Sequence, residues 1–277
     1  MSWTEITRPQ YLRACRRYAS DMTDAEWALV APFMPQASWQ GRPRTTDLRD
    51  VVDALLYIAS SGCQWRMLPK DFPPYSTVQG SFYAWMQDAT LLRINHALVM
   101  QAREAAGREA SPSAGVIDSQ SVKTTEAGGP RGYDAGKRIK GRKRHILVDT
   151  LGFLVGPLVH PANIQDRDGA AGVPATIRSL YPWLRHVFAD AGYAGDKLRS
   201  ELAGMGDWTV EIIKRSDTAQ GFEVLPRRWV VERTLAWLGR CRRLAKDFEA
   251  TVSSTTAWLL MAHIRLLTRR LARQSTA

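Results

Sequence analysis

Two short apolar runs in this chain each deliver an aspartate: Gly115-Val116-Ile117 ends in Asp118, and His186-Val187-Phe188-Ala189 ends in Asp190. Runs of this length, rich in β-branched and aromatic residues, read as strands. In an open α/β sheet the carboxyl ends of strands are where functional groups are exposed. The segments around them complete the pattern. Residues 145–148 predict a second strand, Asp149 to Gly152 a turn, and residues 153–159 a third strand, closing a hairpin. Residues 166–180 read as a helix, 186–189 as the fourth strand, 197–203 as a short helix and 208–213 as the fifth strand. From Arg227 onward the chain reads as helix. The order β-β-β-α-β-α-β-α is that of a three-layer α/β domain with a mixed five-stranded sheet.

Upstream of residue 110 the texture is helical throughout. Residues 1–20 form a basic extension with Arg8, Arg13, Arg16 and Arg17. Thr23 followed three residues later by Glu26 makes a capping box, opening a helix that must end before Pro32 or Pro35. Thr46 or Asp47 caps a second helix, in which Leu48, Val51, Val52, Leu55 and Leu56 recur at helical spacing. Residues 76–85 predict a third, with Val78, Phe82 and Trp85 on one side, and residues 91–108 a fourth. Ser111-Pro112-Ser113 breaks the pattern. The expected organisation is therefore a basic extension over 1–20, a helical region over 21–110, and an α/β domain over 111–277. Short helices joined by basic loops are what a helix-turn-helix DNA reader looks like. They are equally what a helical cap on the following domain looks like, and Arg42 and Arg44 in one loop favour DNA contact.

Charge narrows the partner. The chain of 277 residues carries a formal net charge of +11, which favours a polyanion and says nothing of fold. Residues 131–144 hold seven Lys/Arg against one Asp, and residues 227–246 seven more against Glu232. Two such clusters could line one groove for phosphates. An apolar fraction of 45% argues against disorder. No run approaches the roughly 20 apolar residues that cross a bilayer, and arginines occupy the place of a secretion signal's apolar core. With three scattered cysteines, Cys15, Cys63 and Cys241, the expectation is a cytoplasmic protein of a reducing compartment, with no membrane partner.

A third acid joins the two aspartates. In the predicted helix, Val231, Leu235 and Leu238 form the buried stripe, and Glu232 lies at its rim with Arg228 one turn earlier. Each feature has an ordinary explanation: an aspartate after a strand caps a helix or forms a turn, and Arg228–Glu232 is a common helical ion pair. Together they suit phosphodiester chemistry. Two Mg²⁺ ions about 3.5–4 Å apart activate the attacking oxygen and stabilise the leaving one, and Mg²⁺ takes few protein ligands, all hard oxygens. Asp118 would bridge the ions, while Asp190 and Glu232 would each complete one shell. Other chemistries find no support: the five histidines make no zinc pair, and neither a Walker loop nor a Gly-x-Ser-x-Gly elbow occurs. Asp149, Asp166 and Asp168 read as turn and helix-start residues, and Trp229 and Trp237 as core. The amphipathic run 259–271 is expected to pack on the domain or on a second subunit.

Three stretches resemble the IS5 family of insertion-sequence transposases, DDE enzymes of RNase H-like fold. They are Val116-Ile117-Asp118-Ser119-Gln120-Ser121-Val122-Lys123, then Phe188-Ala189-Asp190-Ala191-Gly192-Tyr193, then residues 228–234 (RWVVERT) continuing to 242–249 (RRLAKDFE). The basic stretch 136–145 also resembles the family, as do GRPRTTDLRD, CQWRMLP and FPPYSTV in the helical part, so the similarity covers residues 20 to 250. The resemblance implies an RNase H-like catalytic domain in which Asp118, Asp190 and Glu232 are the acidic trio. It implies Mg²⁺ or Mn²⁺ as cofactor, double-stranded DNA as partner, and a dimer that holds two DNA ends. Cleavage at terminal inverted repeats would leave a 3′-OH that attacks target DNA. Phosphate-holding side chains would be Arg42, Arg44, Lys123, Lys137, Arg138, Lys140, Arg142, Lys143, Arg144, Arg228, Arg233, Arg240, Arg243 and Lys246. Arg228 matches the arginine of the wider Y-x2-R-x3-E-x6-K signature, while Leu225 stands at its tyrosine and Gly239 at its lysine. Only 42 residues separate Asp190 from Glu232, too few for the β-rich insertion of some relatives.

Overall fold

The computed structural model describes residues 12–36, 43–213 and 226–274, so Arg42 and Leu225 lie outside the described residues. An all-helical region comes first. Helix α1 (Asp24–Val30) starts at the expected capping box, with Thr23 accepting from the Glu26 N–H and Glu26 reaching back to Thr23. Helix α2 (Leu48–Ser61) is capped by Asp47 and stopped by Gly62 in the left-handed region. Helices α3 (Tyr75–Gln87) and α4 (Thr90–Glu104) follow. The described arginines of the basic extension are spent on acids of these helices: Arg13 on Glu26 at 2.5 Å, Arg16 on Asp50 at 3.2 Å, and Arg17 on Asp50 at 2.7 Å.

The sheet contains β1 (Ala114–Lys123), β2 (Gly132–Asp134), β3 (Ile139–Asp149), β4 (Leu154–Pro161), β5 (His186–Ala189) and β6 (Thr209–Ile212). Along it the order is β2-β3-β1-β5-β6, with β4 also paired to β3. β1, β3 and β4 run antiparallel, and β1, β5 and β6 parallel. This is the mixed, curled sheet of the RNase H-like fold. Helix α8 (Pro226–Leu238) packs across β1, β3 and β5. The opposite face is met by α5 (Asp166–Gly169), α6 (Gly172–Ile177) and α7 (Asp196–Met205). The last helix, α9 (Val252–Gln274), lies against β4 and against all four N-terminal helices, so one apolar core runs from Met22 to Leu271.

Four differences from the expected layout have local causes. β1 continues five residues past Asp118, so that acid is mid-strand and not terminal. β3 begins at Ile139, six residues before the expected start, because the basic run 140–144 is itself strand. Alternation sends Arg142 and Arg144 to one face and Lys143 to the other. The single helix expected over 166–180 is two short ones. At Gly169 a Cβ would stand 2.2 Å from His160 Nε2, and Pro174 brings no N–H to a continuing helix. β2 has three residues and no alternation to betray it.

Candidate active site

Strand parity puts Asp118 on the face covered by α8. It sits two residues beyond Val116, the last β1 residue paired with β5, whose own C-terminal end carries Asp190. The two acids therefore stand where parallel pairing stops and the strands part. Asp190 caps the 3₁₀ turn Ala191–Tyr193, its Oδ1 accepting the Gly192 N–H at 2.8 Å. Asp118 accepts the Ser119 N–H at 2.7 Å. Helix α8 supplies the rest. Arg228 Nη2 lies 3.6 Å from Asp190 Oδ2 and 3.4 Å from Glu232 Oε1, so one guanidinium is shared by two of the three acids.

Burial pushes the Asp118 carboxyl up to about 6, and the charge of Asp190 adds to the rise. The Ser119 N–H, Lys137 and Arg228 act against it. A half-buried acid with a second one nearby has its pKa raised, and such groups gather at functional sites. Among the described residues no three His, Cys, Asp or Glu side chains are grouped closely enough to hold a metal ion. The donor set nevertheless fits a hard divalent ion in its chemistry, being carboxylate oxygen throughout. In this arrangement Asp190 and Glu232 flank the Arg228 cation.

Beneath the site, on the other face of the sheet, a polar layer was invisible in the sequence. Ser119 donates to Asp166 Oδ1 at 2.6 Å, and Lys143 Nζ lies 3.0 Å from the same oxygen. Tyr193 OH meets His145 Nδ1 at 3.2 Å. Burial lowers His145 to about 3, leaving it neutral, and raises the Tyr193 phenol well above its ordinary value. Asp166 does begin a helix, as expected, but its carboxylate is engaged in this layer. Only pairing partners distant in sequence would have revealed that. Asp149 is a turn former, accepting the N–H groups of Leu151 and Phe153 and meeting Arg103.

The fourteen basic residues expected to hold phosphate separate into groups. Arg142, Arg144 and Arg243 are interior. Arg142 donates to the carbonyls of Pro130, Glu249 and Ala250 and pairs with Asp247, and Arg144 donates to those of Leu244 and Lys246. Arg243 pairs with Glu249 at 2.5 Å and donates to the Cys63 carbonyl. Lys143 is interior too, held by Asp166 and by the Ile164 carbonyl. These four are corrected from phosphate ligands to internal ties, for burial leaves them no access to a duplex. Arg233 is half-buried, donating to the Leu151 carbonyl and lying over the Trp237 ring. Lys123, Lys137, Arg138, Lys140, Arg240, Lys246 and Arg44 are exposed. Gly239 lies just past the end of α8, and Trp229, expected in the core, is 44% exposed on the helix that carries Arg228 and Glu232.

Comparison with known proteins places two segments. The family described as "Transposase DDE domain" matches residues 109–267, and that described as "Putative transposase of IS4/5 family" matches residues 22–95. Over 127 residues the chain is 34% identical to a protein of Burkholderia cepacia described as "Putative transposase for insertion sequence element IS402", covering 43% of this chain and 59% of that relative. Over 84 residues it is 33% identical to "Uncharacterized protein y4sN" of Sinorhizobium fredii, covering 30% of this chain and 65% of the relative. Each match thus spans about three fifths of the relative's own length.

Proposed function

The chain belongs to the IS4/5 transposases that carry a DDE domain, and from that premise we propose that it cuts and joins DNA using Asp118, Asp190 and Glu232. The observation that carries the assignment is the placement of Arg228 between Asp190 and Glu232, with the half-buried Asp118 close enough to Asp190 to feel its charge. The reading is supported by a strand, a strand end and a helix that each bring one acid to this edge of the sheet, two of them joined through Arg228. Two Mg²⁺ or Mn²⁺ ions held by the trio would supply Lewis-acid stabilisation of the entering and leaving oxygens.

The chain's own residues bind and orient the strand. Water attacks the phosphorus at an element end, the P–O3′ bond breaks, and the departing oxygen takes a proton to become a 3′-OH. That hydroxyl attacks a phosphorus of target DNA and displaces the target's 3′ oxygen, so one phosphodiester is exchanged for another. Asp118, on a strand laddered to β3, would hold the ions together with Asp190 and Glu232. Lys123, Lys137, Arg138 and Lys140 line the exposed end of the β1–β3 ladder and would hold phosphates, as would Arg240, Lys246 and, from the helical region, Arg44. A dimer on cytoplasmic, nucleoid DNA would hold the two ends together. Among the described residues no helix is long and apolar enough to cross a membrane.

The test is strand cleavage and transfer on a labelled duplex bearing the inverted repeats, with Mg²⁺ or Mn²⁺ and an Asp190→Ala control. A joined product that vanishes in the variant supports the assignment. Nicking without joining would reduce the protein to a nuclease, and binding alone, unchanged by the substitution, to a DNA-binding protein.

A further inference from the structure

Past Val116 strand β1 no longer has β5 beside it and is laddered by β3 alone. Asp118 sits in this half-supported stretch, and what steadies it is the next residue. Three groups of Ser119 are held: its N–H donates to Asp118 Oδ1 at 2.7 Å, its carbonyl accepts from Lys137 Nζ at 3.3 Å, and its hydroxyl donates to Asp166 Oδ1 at 2.6 Å. Asp166 is fixed in turn by Lys143, whose ammonium lies 3.0 Å away and is itself buried. A buried ammonium without a carboxylate is costly, and Asp166 is the nearer of the two that Lys143 has, Asp134 lying 3.8 Å away, so Lys143 holds Asp166 in place. Ser119 and Lys143 share the face opposite Asp118, because Ser119 pairs with His145 and Ser121 with Lys143. Asp166 also reaches the second strand end: a Cβ on Gly192 would stand 3.0 Å from Asp190 Oδ1 and 3.8 Å from Asp166 Oδ2.

We infer that Asp166 is a positioning residue for the reaction proposed above: it clamps Ser119 from behind the sheet and so fixes the peptide whose N–H orients the Asp118 carboxylate. This inference rests on the reading of Asp118, Asp190 and Glu232 as metal ligands. The groups that orient a ligand matter almost as much as the ligand, and their loss costs about 10–100-fold in metal affinity or activity. Asp166 therefore acts on Asp118 through Ser119.

The experiment compares two buried serines on one strand face in the full chain. Ser119→Ala cuts the clamp and leaves the Asp166–Lys143 pair intact. Ser121→Ala cuts the matching bond from Ser121 to Asp134, also 2.6 Å, two residues farther from Asp118. Mn²⁺ affinity is read by electron paramagnetic resonance, and amide exchange at residue 119 by hydrogen–deuterium exchange. Ser119→Ala is expected to weaken Mn²⁺ binding about tenfold and to speed exchange at position 119, with Ser121→Ala changing neither. Equal effects of the two substitutions, or none from Ser119→Ala, overturn the inference. Should the wild type bind no Mn²⁺ that Asp118→Ala abolishes, the metal-site reading falls, and the exchange comparison alone still decides the clamp.

Discussion

Arg142 and Asp247, 105 residues apart in sequence, form a fully buried ion pair with 3.2 Å between Nη1 and Oδ1. The pair fastens the stretch after α8 to the third strand. Thr255 also donates to Asp247, and the Asp247 N–H reaches the Lys123 carbonyl at 2.9 Å, which ties in β1 as well. A buried pair adds little over a well-packed apolar one, but removing one partner strands the other. Arg142→Ala should therefore lower unfolding free energy by about 3–5 kcal/mol, read by urea denaturation at neutral pH. A loss below about 1 kcal/mol would mean that the pair is solvated in solution.

Asp118 makes a pH-dependent contribution whose sign is opposite to that of a salt-bridged carboxylate. Its folded value, raised from 3.8 to about 6, means that the folded state holds the proton more tightly than the unfolded chain. The stability so gained is full below the unfolded value and is lost as pH rises through about 6. At pH 7.5 the ionised group is a liability, so Asp118→Asn should melt above the wild type, by an amount on the order of 1–2 kcal/mol. The advantage should fade below about pH 4. Thermal melts at both pH values check this, and an Asn variant that is less stable at pH 7.5 would contradict it.

The local signals were legible in the sequence because each is complete within a few residues. Thr23 with Glu26, and Asp47 ahead of a helical stripe, specify helix starts without tertiary help. Asp118 and Asp190 could be placed on strands, and Glu232 at the rim of a helix's apolar stripe, from the hydrophobic pattern, but the pairing of those strands and the length of β1 beyond Asp118 could not. The fate of 142–144 could not be read, for three consecutive cations in a strand have partners fixed by register. Arg142 finds Asp247, Lys143 finds Asp166, and Arg144 finds the Leu244 carbonyl. The same holds for RRLAKDFE: Arg243 joins Glu249 to the Cys63 carbonyl and faces the rings of Trp65 and Trp258, so part of that motif joins the helical region to the sheet. Asp166 looked ordinary because its hydroxyl partner is 47 residues earlier.

The division between buried and exposed cations predicts two kinds of variant. Lys137, Arg138 and Lys140 surround the tight β2–β3 connection, where Arg138 adopts a φ of 54°, and all three are exposed. Replacing them together with Ala removes one bond to the fold, that of Lys137 Nζ to the Ser119 carbonyl, so the melting temperature should fall only slightly while binding to any duplex weakens. If each touches one phosphate, the slope of log K against log salt falls by roughly 3. Lys143→Ala and Arg144→Ala should do the reverse, destabilising the fold while leaving the salt slope of the folded fraction intact. Fluorescence anisotropy at several salt concentrations separates the two.

Arg228 is expected to hinder metal binding while the site is free of DNA. Its guanidinium lies within 3.6 Å of Asp190 and 3.4 Å of Glu232, so an entering divalent ion must either displace it or bind beside it. Losing one opposing charge at this range in a partly solvated site is worth a kcal/mol or so, on the order of tenfold in affinity. Arg228→Gln should therefore bind Mn²⁺ more tightly than the wild type in calorimetric titration, with the gain abolished in Arg228→Gln/Glu232→Gln. Strand cleavage by the single variant should nonetheless fall if the freed guanidinium then meets phosphate. The opposite result, weaker Mn²⁺ binding in Arg228→Gln, would show that the arginine's chief part is to gather the two acids, and that their spacing without it is too wide for a shared ion.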